Sequence, residues 1–283
     1  MDNFWRYVNE RQNIWYRRFV LKQPPPWTAD PVLRDYSFCN NFRQLDRGTM
    51  YAINNILTLP KPEDRVFVTM FYRLFNNPDT LDEVGVNNIA SWNRKYVQRV
   101  ILNRFKRGDK VYRAAYMLAG PKNAGGKPGS KIKEYCRVLN GVYKRRIALT
   151  EQLKAAPTRR GAWECLQSVK WLGPFIALQC FLDLNYDHYF HWPNDEWVYC
   201  GPGAIRGLNR MMRVSVTKQS EMTIAINQLT DLQSTYLNNI FKWPPNITSL
   251  TNDDTEYVLC EWSKYERIKE GGKRTRRFVP STD

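Results

Sequence analysis

The sequence has few of the residues that mark secreted, membrane or metal-binding proteins. It contains only two histidines, and its six cysteines are scattered without a CxxC pair, so neither a zinc site nor a disulfide framework is indicated. It has no uninterrupted run of about 18 apolar residues, and polar residues interrupt its first segment, MDNFWRYVNERQ, which argues against a membrane span and a signal peptide. We therefore expect a cytoplasmic protein with reduced thiols, no metal and no cofactor.

Alternating polar and apolar residues, which indicate β-strands, are also scarce, and most segments have helical periodicity instead. In Arg65–Asn76 the apolar residues Val66, Met70 and Leu74 recur at helical spacing, and Asp64 is suited to cap the helix. Other long segments follow the same pattern. The sequence predicts an all-α protein.

Positive charge is present in excess, and it is concentrated in one block. The net charge is +16, and residues 94–160 alone contain 19 Lys and Arg against three acidic residues. The charges in the rest of the chain balance, so the basic block indicates a surface that binds a polyanion, and nucleic acid is the leading partner. A basic surface that only faces solvent would have the same composition. The candidates for contacting DNA in this block are Lys106, Arg107, Lys127, Lys144 and Arg145.

The sequence lacks a loop that would hold the phosphates of ATP. Gly120–Lys131, GPKNAGGKPGSK, is rich in glycine and lysine, but Lys127 is followed by Pro128, where such a loop requires serine or threonine. We interpret the segment as a flexible loop that contacts the DNA backbone, and nucleotide hydrolysis is not indicated.

A hairpin motif is present in Ser168–Trp197, where a Leu-Gly-Pro turn separates a helix ending near Trp171 from one starting at Phe175. The arrangement resembles the helix-hairpin-helix of the DNA glycosylase superfamily, in which backbone N–H groups bind a DNA phosphate. Gly173 and Pro174 would form that hairpin, and WPND would place Asp195 at the glycosylase-like catalytic position. An ordinary helix junction could have the same turn.

We expect one glycosylase-like helical domain over residues 1–283, with two closely packed lobes. Its approximate parts are an N-terminal substrate-site block (1–60), a basic helical lobe (61–160), a hairpin and catalytic lobe (161–268) and a basic tail (269–283).

The segment ERQNIWYRRFVLKQPPPWTADPVLRDYSFCNNFRQLDR resembles the signature of the α-glutamyl/putrescinyl-thymine pyrophosphorylase family, the amino acid:DNA transferases of bacteriophages. GPGAIRGL (Gly201–Leu208) and EYVLCEWSKYER (Glu256–Arg267) resemble its later blocks. The residues that fit the N-terminal pattern are Glu10, Arg11, Trp27, Thr28, Asp30, Pro31, Leu33, Phe38, Asn40, Arg43, Asp46 and Arg47.

This resemblance implies a DNA-modifying transferase that makes hypermodified thymine in the bacterial host cytoplasm during phage infection. Its substrate would be double-stranded DNA in which a separate 5-hydroxymethyluracil DNA kinase has phosphorylated the base. An amino acid or polyamine, such as glycine, glutamate or putrescine, would displace the phosphate or pyrophosphate. The identity of the amine is left open.

A phosphoryl leaving group requires guanidinium donors, and an amine nucleophile requires a carboxylate base. Arg11, Arg43 and Arg47 would stabilise the leaving group, with Asp30 and Asp46 positioning them and Asn40 reading a uracil edge or completing the phosphate shell. Arg206 and Lys264 are further substrate-binding candidates. The base would be Asp195, with Asp183, Glu256 and Glu261 as alternatives. Extrusion of the target base into a pocket would place it against Trp27, Phe38 and Trp192.

Other interpretations remain open. The polar N-terminal stretch could be a structural ion-pair network that joins the first helices. A base-excision glycosylase would share Asp195 and the hairpin, and a non-catalytic DNA-binding protein would need only the basic block. The transferase interpretation predicts that the N-terminal arginines and the candidate carboxylates converge on one pocket.

Overall fold

The computed structural model of the protein describes residues 1–113, 129–170, 172–192, 197–237, 241–272 and 277–279. Within these residues the regular structure is helical, apart from a single antiparallel bridge between Tyr36 and Arg277. The all-α prediction is therefore confirmed. Among the described residues, every helix is too short or too polar to span a bilayer.

The described residues form fourteen α-helices and shorter helical turns. The helices are α1 (Asp2–Trp15), α2 (Pro31–Asp35), α3 (Arg47–Tyr51), α4 (Pro62–Phe75), α5 (Pro78–Val84), α6 (Val86–Ala90), α7 (Arg94–Lys106), α8 (Ser130–Lys154), α9 (Arg159–Gln167), α10 (Pro174–Leu184), α11 (Pro202–Met212), α12 (Gln219–Asp231), α13 (Gln233–Tyr236) and α14 (Asn252–Lys269). A π-helical turn, Tyr16–Val20, extends α1, and a 3₁₀ turn, Arg43–Leu45, precedes α3.

The chain forms two compact units. The first joins Met1–Asp46 to Glu196–Asp283, and the second is the continuous segment Arg47–Asp195. The N-terminal motif and helix α14 therefore belong to the same unit, although they lie at opposite ends of the sequence.

Close packing of α11 against α14 organises the first unit. The segment GPGAIRGL places Gly203 and Gly207 four residues apart, on one face of α11. Both glycines are buried, and a Cβ atom at Gly207 would lie 2.6 Å from the backbone oxygen of Leu259. Only glycine lets the two helix backbones approach this closely, because any larger residue would meet main chain that cannot move aside.

Replacing Gly207 by alanine is expected to lower the free energy of unfolding by about 1–3 kcal/mol, because the added methyl group overpacks the helix contact. Urea denaturation checks this value. Gly141 is the matched control, since it lies inside α8 and an added Cβ would meet nothing within 4 Å. Gly141→Ala should stabilise the protein by up to about 1 kcal/mol through helix propensity. Equal stability of wild type and Gly207→Ala would contradict the packing argument.

Helix α4 is the centre of the second unit. The ten residues Val66–Phe75 are all buried, and α8 and α10 pack against the helix. It begins at Pro62 rather than near Asp64, because proline is well suited to the first helical position, where no backbone N–H is needed. Asp64 lies in the first turn, where its charge is favourable.

The predicted hairpin falls between α9 and α10, which pack against each other. Gly173 is the N-cap residue of α10 and Pro174 its first helical residue. Trp171, where the sequence predicts the first helix to end, lies outside the described residues, and α9 ends at Gln167. A pair of packed helices with a glycine-proline start is thus present, and its relation to the glycosylase hairpin stays a prediction.

Candidate functional site

In the first unit, the N-terminal motif is organised by the guanidinium group of Arg11 on α1. Its Nε donates to the carbonyl oxygen of Cys39 at 2.8 Å, and its Nη2 donates to the side-chain oxygen of Asn40 at 2.8 Å and to the carbonyl oxygen of Phe38 at 3.3 Å. One side chain therefore holds three successive residues, and α1 fixes the conformation of the segment that follows α2.

Asp46 closes this segment into a loop and ties it to α14. One carboxylate oxygen accepts hydrogen bonds from the backbone and side-chain nitrogens of Asn40, at 3.0 and 3.2 Å, and the other accepts from the Tyr257 hydroxyl at 2.5 Å. Burial raises the pKa of Asp46, against these hydrogen bonds and the charges of Arg11 and Arg43, which lower it. The predicted residues Asn40 and Asp46 thus bond directly to each other.

Glu261 and Lys264 of α14 hold the other side of the loop. Glu261 accepts hydrogen bonds from the backbone N–H of Cys39 at 2.8 Å and from the Lys264 ammonium group at 2.5 Å. The ammonium group lies 4.6 Å from the centre of the Phe38 ring, within range of a cation–π interaction. Two residues from the C-terminal block therefore contact two from the N-terminal motif.

Arg43 lies in a buried acidic environment. Its side chain is 4% exposed, and its guanidinium is 5.8 Å from the centre of the Tyr257 ring. Burial raises the pKa of Glu256 to about 7, although the N–H of Gly201 and the charge of Arg43 lower it. Burial likewise raises the pKa of Asp254 to about 6, against hydrogen bonds from Thr251 and the Arg43 backbone. Glu256 therefore changes charge near neutral pH.

Asp30 has a different environment from the one predicted for it. One of its carboxylate oxygens caps α2, accepting from the backbone nitrogens of Val32 at 2.8 Å and Leu33 at 2.9 Å, and the other accepts from the Tyr265 hydroxyl at 2.6 Å. Arg206 is exposed on α11. Arg47 is exposed at the start of α3, in the second unit.

Two further predicted site residues are buried in the second unit. Asp183 on α10 is fully buried and accepts two hydrogen bonds of 2.5 Å from the Arg73 guanidinium on α4. Trp192 is 8% exposed, stacks on Phe190 with ring centres 4.9 Å apart, and donates its Nε1–H to the carbonyl oxygen of Leu153. Both side chains are therefore bonded within the core of their own unit, and their predicted roles in the site stay predictions.

The predicted DNA-binding residues are mostly at the surface of the second unit. Lys106 at the end of α7 and Lys144 and Arg145 on α8 are exposed. Arg107 is also exposed, but it forms ion pairs with Glu83 and Asp109. Lys127 and Asp195, the leading candidate for the base, lie outside the described residues.

A pocket of about 100 Å³ opens in the first unit beside Arg11. The described residues that line it include five aromatic side chains and three arginines, and no carboxylate is among them. Two predicted base-pocket residues, Trp27 and Phe38, line it, together with Arg18, Arg34 and Phe278. The described part of the chain has no group of three or more His, Cys, Asp or Glu residues arranged to hold a metal ion.

Sequence reasoning missed Tyr257, Tyr265, Asp254, Arg73 and the pocket arginines Arg18 and Arg34. The sequence did contain a signal for Tyr257 and Tyr265. Tyr257, Glu261, Lys264 and Tyr265 are spaced at i, i+4, i+7 and i+8, which places them on one face of α14. No comparable spacing marks Arg73.

The fold and the site define an all-α protein in which Arg11, Asn40 and Asp46 form a hydrogen-bonded network, with a pocket lined by aromatic side chains and arginines beside it. The chain belongs to the family described as "5-hmdU DNA kinase, helical domain", whose sequence model matches residues 1–274. It is also 25% identical over 282 residues to the "5-hmdU DNA kinase" of Bacillus phage SP10, an alignment that covers 93% of this chain. The chain spans 44% of the length of that relative. No solved structure matches the chain.

This family membership corrects the interpretation from sequence. The assignment to the amino acid:DNA transferases is wrong, and so are the predicted displacement reaction and the predicted class of enzyme. The alternatives, a base-excision glycosylase and a non-catalytic DNA-binding protein, fit the family no better, and an amino acid or polyamine co-substrate has no support. The physical reason lies in the motif, since the hydrogen bonds of Arg11, Asn40 and Asp46 hold a loop in place and do not specify a leaving group.

Proposed function

We propose that this chain acts in phosphoryl transfer to the hydroxymethyl group of 5-hydroxymethyluracil in DNA, as the part of the kinase that binds the DNA and presents the base. The observation that carries the proposal is the match of the kinase helical-domain family to residues 1–274 of the chain. The similarity to the phage SP10 kinase, over 93% of this chain, supports it.

The phosphoryl donor would be bound elsewhere, because the sequence has no phosphate-binding loop. Another domain or a partner protein would hold a nucleoside triphosphate with its metal ion. The hydroxymethyl oxygen would form a bond to the γ-phosphorus, the bond from that phosphorus to the β,γ-bridging oxygen would break, and a nucleoside diphosphate would leave. The hydroxyl proton would pass to a carboxylate base or to solvent.

Each unit would contribute a different part of DNA recognition. In the first unit, the loop held by Arg11, Asp46 and Glu261 would present the modified base. In the second unit, the basic helices α7 and α8 would contact phosphates without regard to sequence. The α9–α10 pair would bind a phosphate at the start of α10, in the manner of the glycosylase-like helix-hairpin-helix.

Binding to matched DNA duplexes tests this proposal. We expect the chain to bind a duplex with one 5-hydroxymethyluracil more tightly than the same duplex with thymine. A chimaera of the phage SP10 kinase, with its matched region replaced by this chain, should transfer phosphate from ATP to the modified duplex only. Equal affinity for the two duplexes, together with an inactive but folded chimaera, would overturn the proposal.

Charge reversal in the basic block is expected to weaken DNA binding to every sequence. The triple variant Lys106→Glu, Lys144→Glu, Arg145→Glu removes up to three phosphate contacts, so the slope of log Kd against log salt should fall by up to about 2.7. Gel-shift titrations over a range of salt concentrations check this. The matched control reverses three exposed lysines outside the block, Lys61, Lys218 and Lys269. Equal effects of the two triple variants would assign the block to a solvated face.

A further inference from the structure

The pocket beside Arg11 has the chemical character of a site for a planar anion. Its lining combines aromatic rings with three arginines, whereas a purely apolar ligand would not need the arginines and an inorganic anion would not need the rings. A volume of about 100 Å³ is several times the roughly 10–15 Å³ that one water molecule requires, which is consistent with a ring system.

Trp27 provides a fixed platform in this pocket. The indole is 9% exposed and donates its Nε1–H to the carbonyl oxygen of Gln23 at 2.7 Å, while its own carbonyl oxygen accepts from Arg17 at 2.6 Å. The guanidinium of Arg18 lies 4.9 Å from the centre of the Trp27 ring and 5.5 Å from that of Phe278. Positive charge is therefore held directly beside an immobilised aromatic surface.

Arg11 supplies an independent observation that points to a ligand. Its Nε and Nη2 are bonded to the 38–40 segment, but Nη1 is buried and has no hydrogen-bond partner among the described residues. A buried N–H donor without an acceptor costs free energy, about 1–3 kcal/mol or more for a charged group. A ligand oxygen in the pocket that Arg11 lines would satisfy it.

We propose that this pocket binds a single nucleotide. The base lies against Trp27 and Phe38, the phosphate lies near Arg18 and Arg34, and a base carbonyl oxygen accepts a hydrogen bond from Arg11. Two sources have this chemistry, a nucleotide extruded from DNA and a free nucleotide such as ATP. The identification of the base as 5-hydroxymethyluracil rests on the proposed function, whereas the nucleotide site itself does not.

Calorimetric titration of the full chain with three free probes tests the site. The probes are 5-hydroxymethyl-2′-deoxyuridine 5′-monophosphate, the corresponding nucleoside and ATP. Trp27→Ala should weaken binding of the monophosphate about tenfold to a hundredfold through lost stacking. Arg34→Ala should weaken it about tenfold but leave binding of the nucleoside unchanged, because only the phosphate is contacted.

The arginine variant keeps the test interpretable if Trp27→Ala does not fold, since the Arg34 side chain is 48% exposed and pairs only with the equally exposed Asp35 in the described structure. Arg6→Ala is the matched control, because Arg6 is an exposed arginine on α1 of the same unit and does not line the pocket. It should leave all titrations unchanged.

The outcomes distinguish an extruded nucleotide from a free one, and they distinguish failure of the nucleotide site from failure of the proposed function. Binding of the monophosphate identifies the extruded nucleotide as occupant, and binding of ATP alone identifies a free nucleotide. Failure of all three probes to bind, or nucleotide binding that Trp27→Ala and Arg34→Ala leave unchanged, would overturn the site. If the chain still distinguishes modified from unmodified duplex in that case, the proposed function stands. If nucleotides bind but the duplexes are not distinguished and the folded chimaera is inactive, the site stands and the proposed function fails.

Discussion

Replacing Asp183 by alanine is expected to lower the free energy of unfolding by about 3–5 kcal/mol, because it leaves the buried Arg73 guanidinium without its carboxylate. Arg73 is 2% exposed and Asp183 is 0% exposed. Both guanidinium–carboxylate hydrogen bonds are 2.5 Å long, whereas Asn76, which accepts from Arg73 at 3.2 Å, and the Tyr72 ring, 4.9 Å from the guanidinium, are neutral. Removing the carboxylate therefore takes away the negative charge that accepts both of these hydrogen bonds from a buried guanidinium.

Urea denaturation would measure the loss, and hydrogen exchange of peptides from α4 and α10 would localise it to the second unit. The control is the double variant Arg73→Met, Asp183→Leu, in which two apolar side chains of similar size replace the ion pair. Because a well-packed apolar pair removes the desolvation cost of both charges, it should recover most of the lost stability. A loss below about 1 kcal/mol in Asp183→Ala would show that Arg73 does not depend on this carboxylate.

The double variant also tests the predicted catalytic role of Asp183. If the side chain serves only to bury Arg73, the folded double variant should discriminate between modified and unmodified duplex as the wild type does, and a chimaera that carries it should keep its phosphoryl transfer. A folded double variant without transfer would return Asp183 to the list of candidate bases.

The helical architecture could be predicted from sequence because helix formation depends on local spacing. Val66, Met70 and Leu74 mark the face of α4 that any amphipathic helix would bury. The structure buries the opposite face too, including Val68, Tyr72 and Phe75, since α8 and α10 both pack against the helix. Burial on all sides depends on neighbours more than 50 residues away, and no periodicity within the segment encodes it.

The members of the candidate site were partly predictable, but their contacts were not. Polar residues crowd both ends of the sequence, and their grouping suggested one site. The pairing of Asp46 with Tyr257 joins residues 211 positions apart, and that of Cys39 with Glu261 joins residues 222 apart. Such pairs depend on how α11 and α14 place the C-terminal block, and a single sequence has no signal for that placement.

The reaction could not be read from the motif, for a physical reason. Arg11 and Asp46 direct their hydrogen bonds to the Phe38–Asn40 backbone, the Asn40 side chain and Tyr257, so the motif preserves a loop conformation. Hydrogen bonds that hold a loop in place are compatible with more than one reaction. Function lies in groups added to such a scaffold, and the motif is therefore weak evidence for a particular chemistry.

Replacing Glu256 by glutamine is expected to stabilise the protein by about 3 kcal/mol near pH 8 and to have little effect near pH 4.5. Burial raises the pKa of Glu256 from its usual value of 4.5 to about 7. The folded state therefore holds a proton that the unfolded state releases between these two values. Each pKa unit between the folded and unfolded states corresponds to about 1.4 kcal/mol. The free energy of unfolding of the wild type therefore falls by about 3 kcal/mol as pH rises across this range.

The direction follows from a raised carboxyl pKa. Below about pH 4.5 both states are protonated and the side chain has no charge penalty. Above about pH 7 both states are ionised, and the folded state bears the full cost of a buried carboxylate. Glutamine has no charge at any pH and can still accept the hydrogen bond that Gly201 donates at 2.9 Å. Asp254, whose pKa is also raised, is present in both proteins, so its contribution largely cancels in the comparison.

Urea denaturation of the wild type and of Glu256→Gln, at intervals of half a pH unit from about pH 4.5 to pH 8, would show the difference between their free energies of unfolding as it grows. Glu221→Gln in α12 is the matched control, because its side chain is 51% exposed in the same unit. The free energy of unfolding of Glu221→Gln should stay within about 0.5 kcal/mol of the wild-type value at every pH. A constant difference between wild type and Glu256→Gln over the whole range would mean that the carboxyl is not desolvated. Arg43, whose charge lowers the pKa of Glu256, would then be neutralising a Glu256 that stays ionised, and the search for a group that gains or loses a proton near neutral pH would move to Asp254.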